Sequence, residues 1–148
     1  MQTQEVFRKD VMADLTYALS RVTTAGTAAV VGARVERPTA GKTGTSNDNA
    51  SAWFNGYTPE VAASVAFYRD DATQSLNGIG GLTSVTGGSF PARIWAEFVK
   101  GYLKKAPIQE FPAPVSIGGT EPVNFINSVP EMDPALIPPS PTPTKKKK

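Results

Sequence analysis

The chain has 148 residues, 40% of them hydrophobic and 19% charged, which suits one soluble domain and calls for no second core. Its formal charge of +2 depends on four terminal lysines at 145–148; the body without them is slightly acidic, and no Lys and Arg cluster marks a nucleic-acid face, so DNA and RNA are excluded as partners. Zero Cys excludes disulfides and thiolate chemistry, and zero His removes the commonest general base and zinc ligand, leaving Lys, Ser, Thr, Tyr and carboxylates to carry any reaction. No stretch approaches the roughly 18 apolar residues of a membrane-spanning helix, and MQTQEVFRKD lacks the apolar core of a signal peptide, so neither a signal peptide nor a membrane anchor is expected in this chain.

In chain order, the first element is a predicted helix. Val11, Leu15, Ala18, Leu19 and Val22 recur at helical spacing behind Asp10, which is placed to cap the first turn, and Gly26 is the expected stop. Small residues dominate 23–34, where Val30, Val31 and Val35 suggest an extended approach to the next segment. From Pro38 the texture changes. If 40–45 is extended, the apolar runs 52–57 and 61–68, split by a turn at Thr58, Pro59 and Glu60, complete a three-stranded antiparallel meander. Residues 70–88 read as a Gly-, Ser- and Thr-rich loop.

A closing helix follows, with Pro91 in its first turn and Ile94, Trp95, Phe98, Val99, Tyr102 and Leu103 as one broad apolar stripe; Lys100, Lys104 and Lys105 lie near its negative end. All prolines except Pro38, Pro59 and Pro91 lie beyond Ala106, where apolar periodicity ends and the chain runs into PPSPTPTKKKK. The expected organisation is α+β: residues 1–105 form an antiparallel sheet with flanking helices, and 106–148 form a Pro-rich, Lys-ended disordered tail.

The segment that calls for chemistry is Gly41, Lys42, Thr43, Gly44 and Thr45. Its GKT resembles the end of a phosphate-binding loop, but that motif sets another glycine at position 36, where Glu36 would repel phosphate. On a strand, Thr43 and Thr45 project to one side and Lys42 to the other; an edge strand with a twist brings all three to a cleft, and Gly44 lets a ligand approach the backbone. An ammonium, two hydroxyls and free strand amides suit an anion, a terminal carboxylate better than a phosphate. Asn47, Asp48 and Asn49 read as turn formers, Trp53 and Phe54 as core, and the Trp95 and Phe98 stripe as packing.

KTG with its flanks resembles the class A, bifunctional penicillin-binding proteins, of an actinobacterial-like kind. AGKTGTSNDNASAWFNGYTPEVAASVAFYRDD is similar to their KTG strand and following hairpin, TGGSFPARIWAEFVKGYL to their closing helix, and VFRKDVMADLTYALSRVTTAGTA to the helix before KTG. The resemblance covers about residues 6–104. It implies the C-terminal part of a peptidoglycan D,D-transpeptidase domain, acting by serine acyl transfer on D-Ala-D-Ala stem peptides and inhibited by β-lactam antibiotics, with no metal or organic cofactor.

By the same resemblance, Lys42 serves proton traffic and holds the donor carboxylate, Thr43 and Thr45 bond that carboxylate, Gly44 admits it, and the Thr45 amide is half of the oxyanion hole. The family's SxxK is absent, since no serine has a lysine three positions on, and Ser75, Leu76 and Asn77 spell SxN on the wrong side of KTG. The chain by itself is therefore expected to be inactive, with the missing N-terminal part of the parent as a partner, and Met1 reads as an internal start, a split product or a truncation. A non-catalytic remnant or wall-peptide-binding fragment is the alternative. The parent is expected at the extracytoplasmic face of the cell membrane. The sheet face left bare is expected to make the isolated chain marginal or aggregation-prone.

Overall fold

The computed structural model describes residues 6–71 and 73–117; most of the expected tail, 118–148, lies outside the described residues. Its elements are α1 (Lys9–Thr24), α2 (Ala29–Gly32), β1 (Ala40–Thr45), β2 (Ser51–Tyr57), β3 (Ala62–Tyr68) and α3 (Phe90–Tyr102). The strands form one antiparallel sheet in the order β1-β2-β3, so the expected meander is present and β1 is an edge.

Alternation along β2 separates two faces. Ala52, Phe54 and Gly56 are buried toward α3, whereas Trp53 and Asn55 point outward and are exposed. The buried face rests on Trp95, which meets Phe54 edge to face at 5.3 Å and donates its indole N–H to the Ala63 carbonyl at 3.0 Å. Around this pair gather Val31, Ala92, Ala96, Val99 and Leu103; a second small cluster of Ala52, Leu76 and Val85 pins the 70–88 loop to the same face. The apolar stripe expected on α3 is narrower in fact. Trp95, Val99 and Leu103 are buried, but Ile94, Phe98 and Tyr102 are exposed, the last two stacked on each other.

Three expectations for the N-terminal region need correction. The residue at the N-cap of α1 is Arg8; Asp10 lies inside the first turn, ion-paired to Arg8, with its carboxylate accepting the Val11 amide. The side of α1 that packs carries Ala13, Thr16 and Thr23, while Val11 and Leu15 of the expected stripe are exposed. Polar bonds set this orientation: Thr23 donates to the Thr39 carbonyl at 2.8 Å, and the Thr16 and Tyr57 hydroxyls bond at 2.9 Å. The segment expected to be extended before β1 contains instead the short helix α2, whose Val31 enters the core.

The tail boundary also differs from expectation, because residues 106–117 run along the body and bond to it. Arg37 donates to Glu60 at 2.9 Å and to the carbonyls of Leu103 and Ala106, and the Gln109 amide reaches the same Glu60 oxygen at 3.1 Å. Phe111 packs edge to face on Tyr57, and the Val115, Ser116 and Ile117 amides all donate to the Asp14 carboxylate at 2.7–2.9 Å. The Thr58 hydroxyl, then the Gln109 amide and the Arg37 charge, hold Glu60 below its ordinary value against the opposing effect of burial. Asp14 is held low chiefly by the Ile117 and Ser116 amides.

Candidate functional site at the edge of strand β1

The backbone of β1 presents alternate residues to its free edge, and the register decides which ones. The Ser46 amide bonds the Ser51 carbonyl at 3.0 Å, so the pairs Gly44 with Trp53 and Lys42 with Asn55 fall in the same hydrogen-bonded phase. Thr43 and Thr45 occupy the other phase. Their amides and carbonyls therefore point away from β2, toward the open edge.

Lys42 is exposed, and its ammonium curls to that edge, donating to the outward Thr43 carbonyl at 2.8 Å. The expected alternation holds, with Lys42 on the open face and Thr43 and Thr45 on the opposite one. The ammonium nevertheless ends beside the Thr43 backbone, so charge, two hydroxyls and the Thr45 amide belong to one edge. A hollow of about 400 Å³ lies on the open face next to the lysine stem, walled by Leu19, Asn55, Tyr57, Ala62 and Ser64.

The two glycines of the motif do different work. A Cβ on Gly41 would meet the Asn55 carbonyl and the Phe54 ring at 2.7 Å, so packing requires glycine there. A Cβ on Gly44 would meet only the Trp53 Cβ, at an ordinary 3.5 Å. Nothing packed on β1 among the described residues demands that glycine, and the strand surface there is open to an approaching molecule.

Two supports were not singled out from sequence. The Thr27 and Thr43 hydroxyls bond at 2.7 Å, and the Gly87 amide donates to the Thr45 hydroxyl at 3.1 Å. Gly87 is buried over β1; the TGG run before α3 is the sequence signal that a close backbone approach occurs here. Ser75, Leu76 and Asn77 are structural as expected: Leu76 is buried, its amide bonds the Asn49 carbonyl at 2.8 Å, and Asn77 accepts from the Asn49 side chain at 2.9 Å. Asn47–Asn49 is a tight turn with Asp48 and Asn49 at positive φ, a conformation these residue types tolerate. Trp53, expected in the core, is 41% exposed on the open face, while Phe54 is fully buried.

A three-stranded antiparallel sheet backed by a helix, with a KTG segment on its edge, is the fold of part of a penicillin-binding transpeptidase domain. The chain is 34% identical over 88 residues to penicillin-binding protein 1A of Mycolicibacterium smegmatis, covering 56% of this chain and 11% of that protein. It is 35% identical over 97 residues to penicillin-binding protein 1A of Neisseria flavescens, covering 66% of this chain and 11% of that one. The solved penicillin-binding protein PonA1 of Mycobacterium tuberculosis superposes with a TM-score of 0.64 at 27% identity, over 74% of this chain and 30% of that one, and PonA1 has also been solved in complex with penicillin V. No family model matches the chain. These similarities identify the chain as a homologue of the class A penicillin-binding proteins, corresponding to a portion of their transpeptidase domain. It spans about a tenth of the length of those curated relatives. Among the described residues no helix is long and apolar enough to cross a membrane.

Proposed function

We propose that the chain supplies the substrate-binding strand of a peptidoglycan D,D-transpeptidase, and that it is inactive until joined by a nucleophile-bearing half. The ammonium of Lys42 and the hydroxyls of Thr43 and Thr45 hold the terminal carboxylate of a D-Ala-D-Ala stem peptide, with Gly44 giving it room. A serine of the other half attacks the penultimate carbonyl; the Thr45 amide donates to the developing oxyanion, and D-alanine leaves as the acyl-enzyme forms. One such donor contributes about 3 kcal/mol of transition-state stabilisation. β-Lactams follow the same path, with ring opening in place of departure of D-alanine. The reaction belongs to cell wall synthesis at the extracytoplasmic face of the membrane.

One observation carries this reading: the register turns the Thr45 amide outward on the edge where the Lys42 ammonium ends. A peptide-binding fragment without catalysis is the second reading, favoured by the lack of SxxK in a chain whose KTG strand is complete. Labelled penicillin separates the two. The expected result is no covalent label on the purified chain, and label on the serine-bearing half when the two are co-expressed. Label on this chain by itself would refute the assignment of the nucleophile to another half, and no label in any mixture would favour the peptide-binding fragment.

A further inference from the structure

We propose that Thr27 and the turn at Gly87 and Gly88 are positioning elements that aim the hydroxyl protons of Thr43 and Thr45 at an anion on the β1 edge. The inference rests on the carboxylate reading of that edge and adds residues outside the KTG segment to it.

The direction of the bond to Thr45 is fixed by chemistry. A main-chain N–H only donates, so the Gly87 amide occupies a lone pair of the Thr45 oxygen and leaves its proton unspent. Among the described residues no acceptor takes that proton, which is free to donate at the edge. The 2.7 Å contact between Thr27 and Thr43 joins two hydroxyls, either of which can donate. An anion at Thr43 draws the Thr43 proton outward and makes Thr27 the donor behind it. The result is a relay from Thr27 through Thr43 to the anion, in which each bond polarises the next.

Packing holds the supports in register with the strand. A Cβ on Gly87 would lie 2.7 Å from the Gly44 carbonyl oxygen and 2.9 Å from the Gly44 nitrogen, and would also strike the Trp53 carbonyl. A Cβ on Gly88 would strike the Thr27 carbonyl on the other side. The turn is thus wedged between Gly44 and Thr27, so it spaces Thr27 from β1 while its own amide anchors Thr45. Thr27 is exposed and lies outside the core clusters, so its bond to Thr43 is not needed to fill the interior.

The test uses the full 148-residue chain and ligand-observed NMR with two probes, N-acetyl-D-alanyl-D-alanine and the same dipeptide with a C-terminal carboxamide. The unaltered chain should prefer the carboxylate. Thr27→Val should weaken the carboxylate about three- to tenfold, the range for one neutral hydrogen bond, and leave carboxamide binding unchanged; Thr27→Ser should restore it. Gly87→Ala should weaken the carboxylate as well, but it strains the backbone, so Thr27 decides the question. Equal carboxylate affinity in Thr27→Val and the unaltered chain, or an equal loss for both probes, or no recovery in Thr27→Ser, would overturn the positioning role while leaving the edge reading intact. No carboxylate preference in the unaltered chain would overturn the edge reading and this inference together.

Discussion

Phe54 and Trp53 are neighbours on one strand, yet Phe54 is fully buried against Trp95 while Trp53 leaves 41% of its surface to solvent. The contrast extends across the whole sheet. Toward α3, the residues of β2 interlock with Trp95, Ala96 and Val99; on the reverse side Lys42, Asn55, Ser64, Trp53 and Tyr68 are exposed, and α1 touches that side mainly near Tyr57 and Leu19. β3 repeats the contrast at its edge, where the register leaves the amides and carbonyls of Ala62, Ser64, Ala66 and Tyr68 unpaired by β2, with no charge or proline in the strand to protect them. One face of this sheet is a finished core, and the other exposes a mixture of polar side chains and the two aromatics Trp53 and Tyr68. The chemistry of the candidate site lies on the edge between them.

Mutation should break the finished face most severely. Trp95→Ala removes the ring that fills the space under Phe54 and Gly56, and should cost about 3–5 kcal/mol in denaturant unfolding, enough to leave the isolated chain largely unfolded. A loss below about 1 kcal/mol would mean that the α3 side is not the organising core.

Acid should act next, through the strap at 106–117. Glu60 and Asp14 have folded values below their ordinary 4.5 and 3.8. Groups lowered on folding contribute stability above the unfolded value, so that contribution is complete at neutral pH and is lost as pH falls below about 4.5 for Glu60 and below about 3.8 for Asp14. Protection factors at the Gln109, Val115, Ser116 and Ile117 amides, taken relative to the intrinsic exchange rate at each pH, should therefore fall in that window before those of the Trp95 region do. Asp14→Asn should accelerate exchange at the last three already at neutral pH. Simultaneous opening of both regions would show that the strap is not a separate unit.

The smallest effect belongs to the open face. Trp53→Ala should change unfolding free energy by about 0.5 kcal/mol or less and should reduce aggregation of the isolated chain, as read by light scattering. A core-sized loss would show that the outer face is packed in solution.

Much of this arrangement was legible in the sequence. The bounds of β1 match the Gly- and Thr-rich segment 40–45, the hairpin turns at Thr58 and Pro59 as its composition demands, and Pro91 opens α3. The failures have a common cause. Hydrophobic periodicity put Leu15 in the core of α1, but the packed side is chosen by hydroxyl bonds from Thr16 and Thr23 to Tyr57 and Thr39, which an apolar pattern does not register. Residue type alone points Trp53 to the core, although strand alternation with Phe54 allows only one of the two to face α3. The Gly87 bond to Thr45 joins segments 42 residues apart, and a diglycine announces a close approach without naming its partner.

The outward amide of Thr45 is the group on which the functional reading turns, and proline removes it selectively. Because that N–H faces the free edge, Thr45→Pro deletes no ladder bond to β2, and edge strands tolerate proline. Thr45→Val deletes the hydroxyl and keeps the amide. With the nucleophile-bearing half supplied, the rate of labelling by penicillin should fall about 10²–10³-fold further in Thr45→Pro than in Thr45→Val, at closely similar melting temperatures. Equal labelling rates in the two variants would contradict the assignment of this edge as an oxyanion donor.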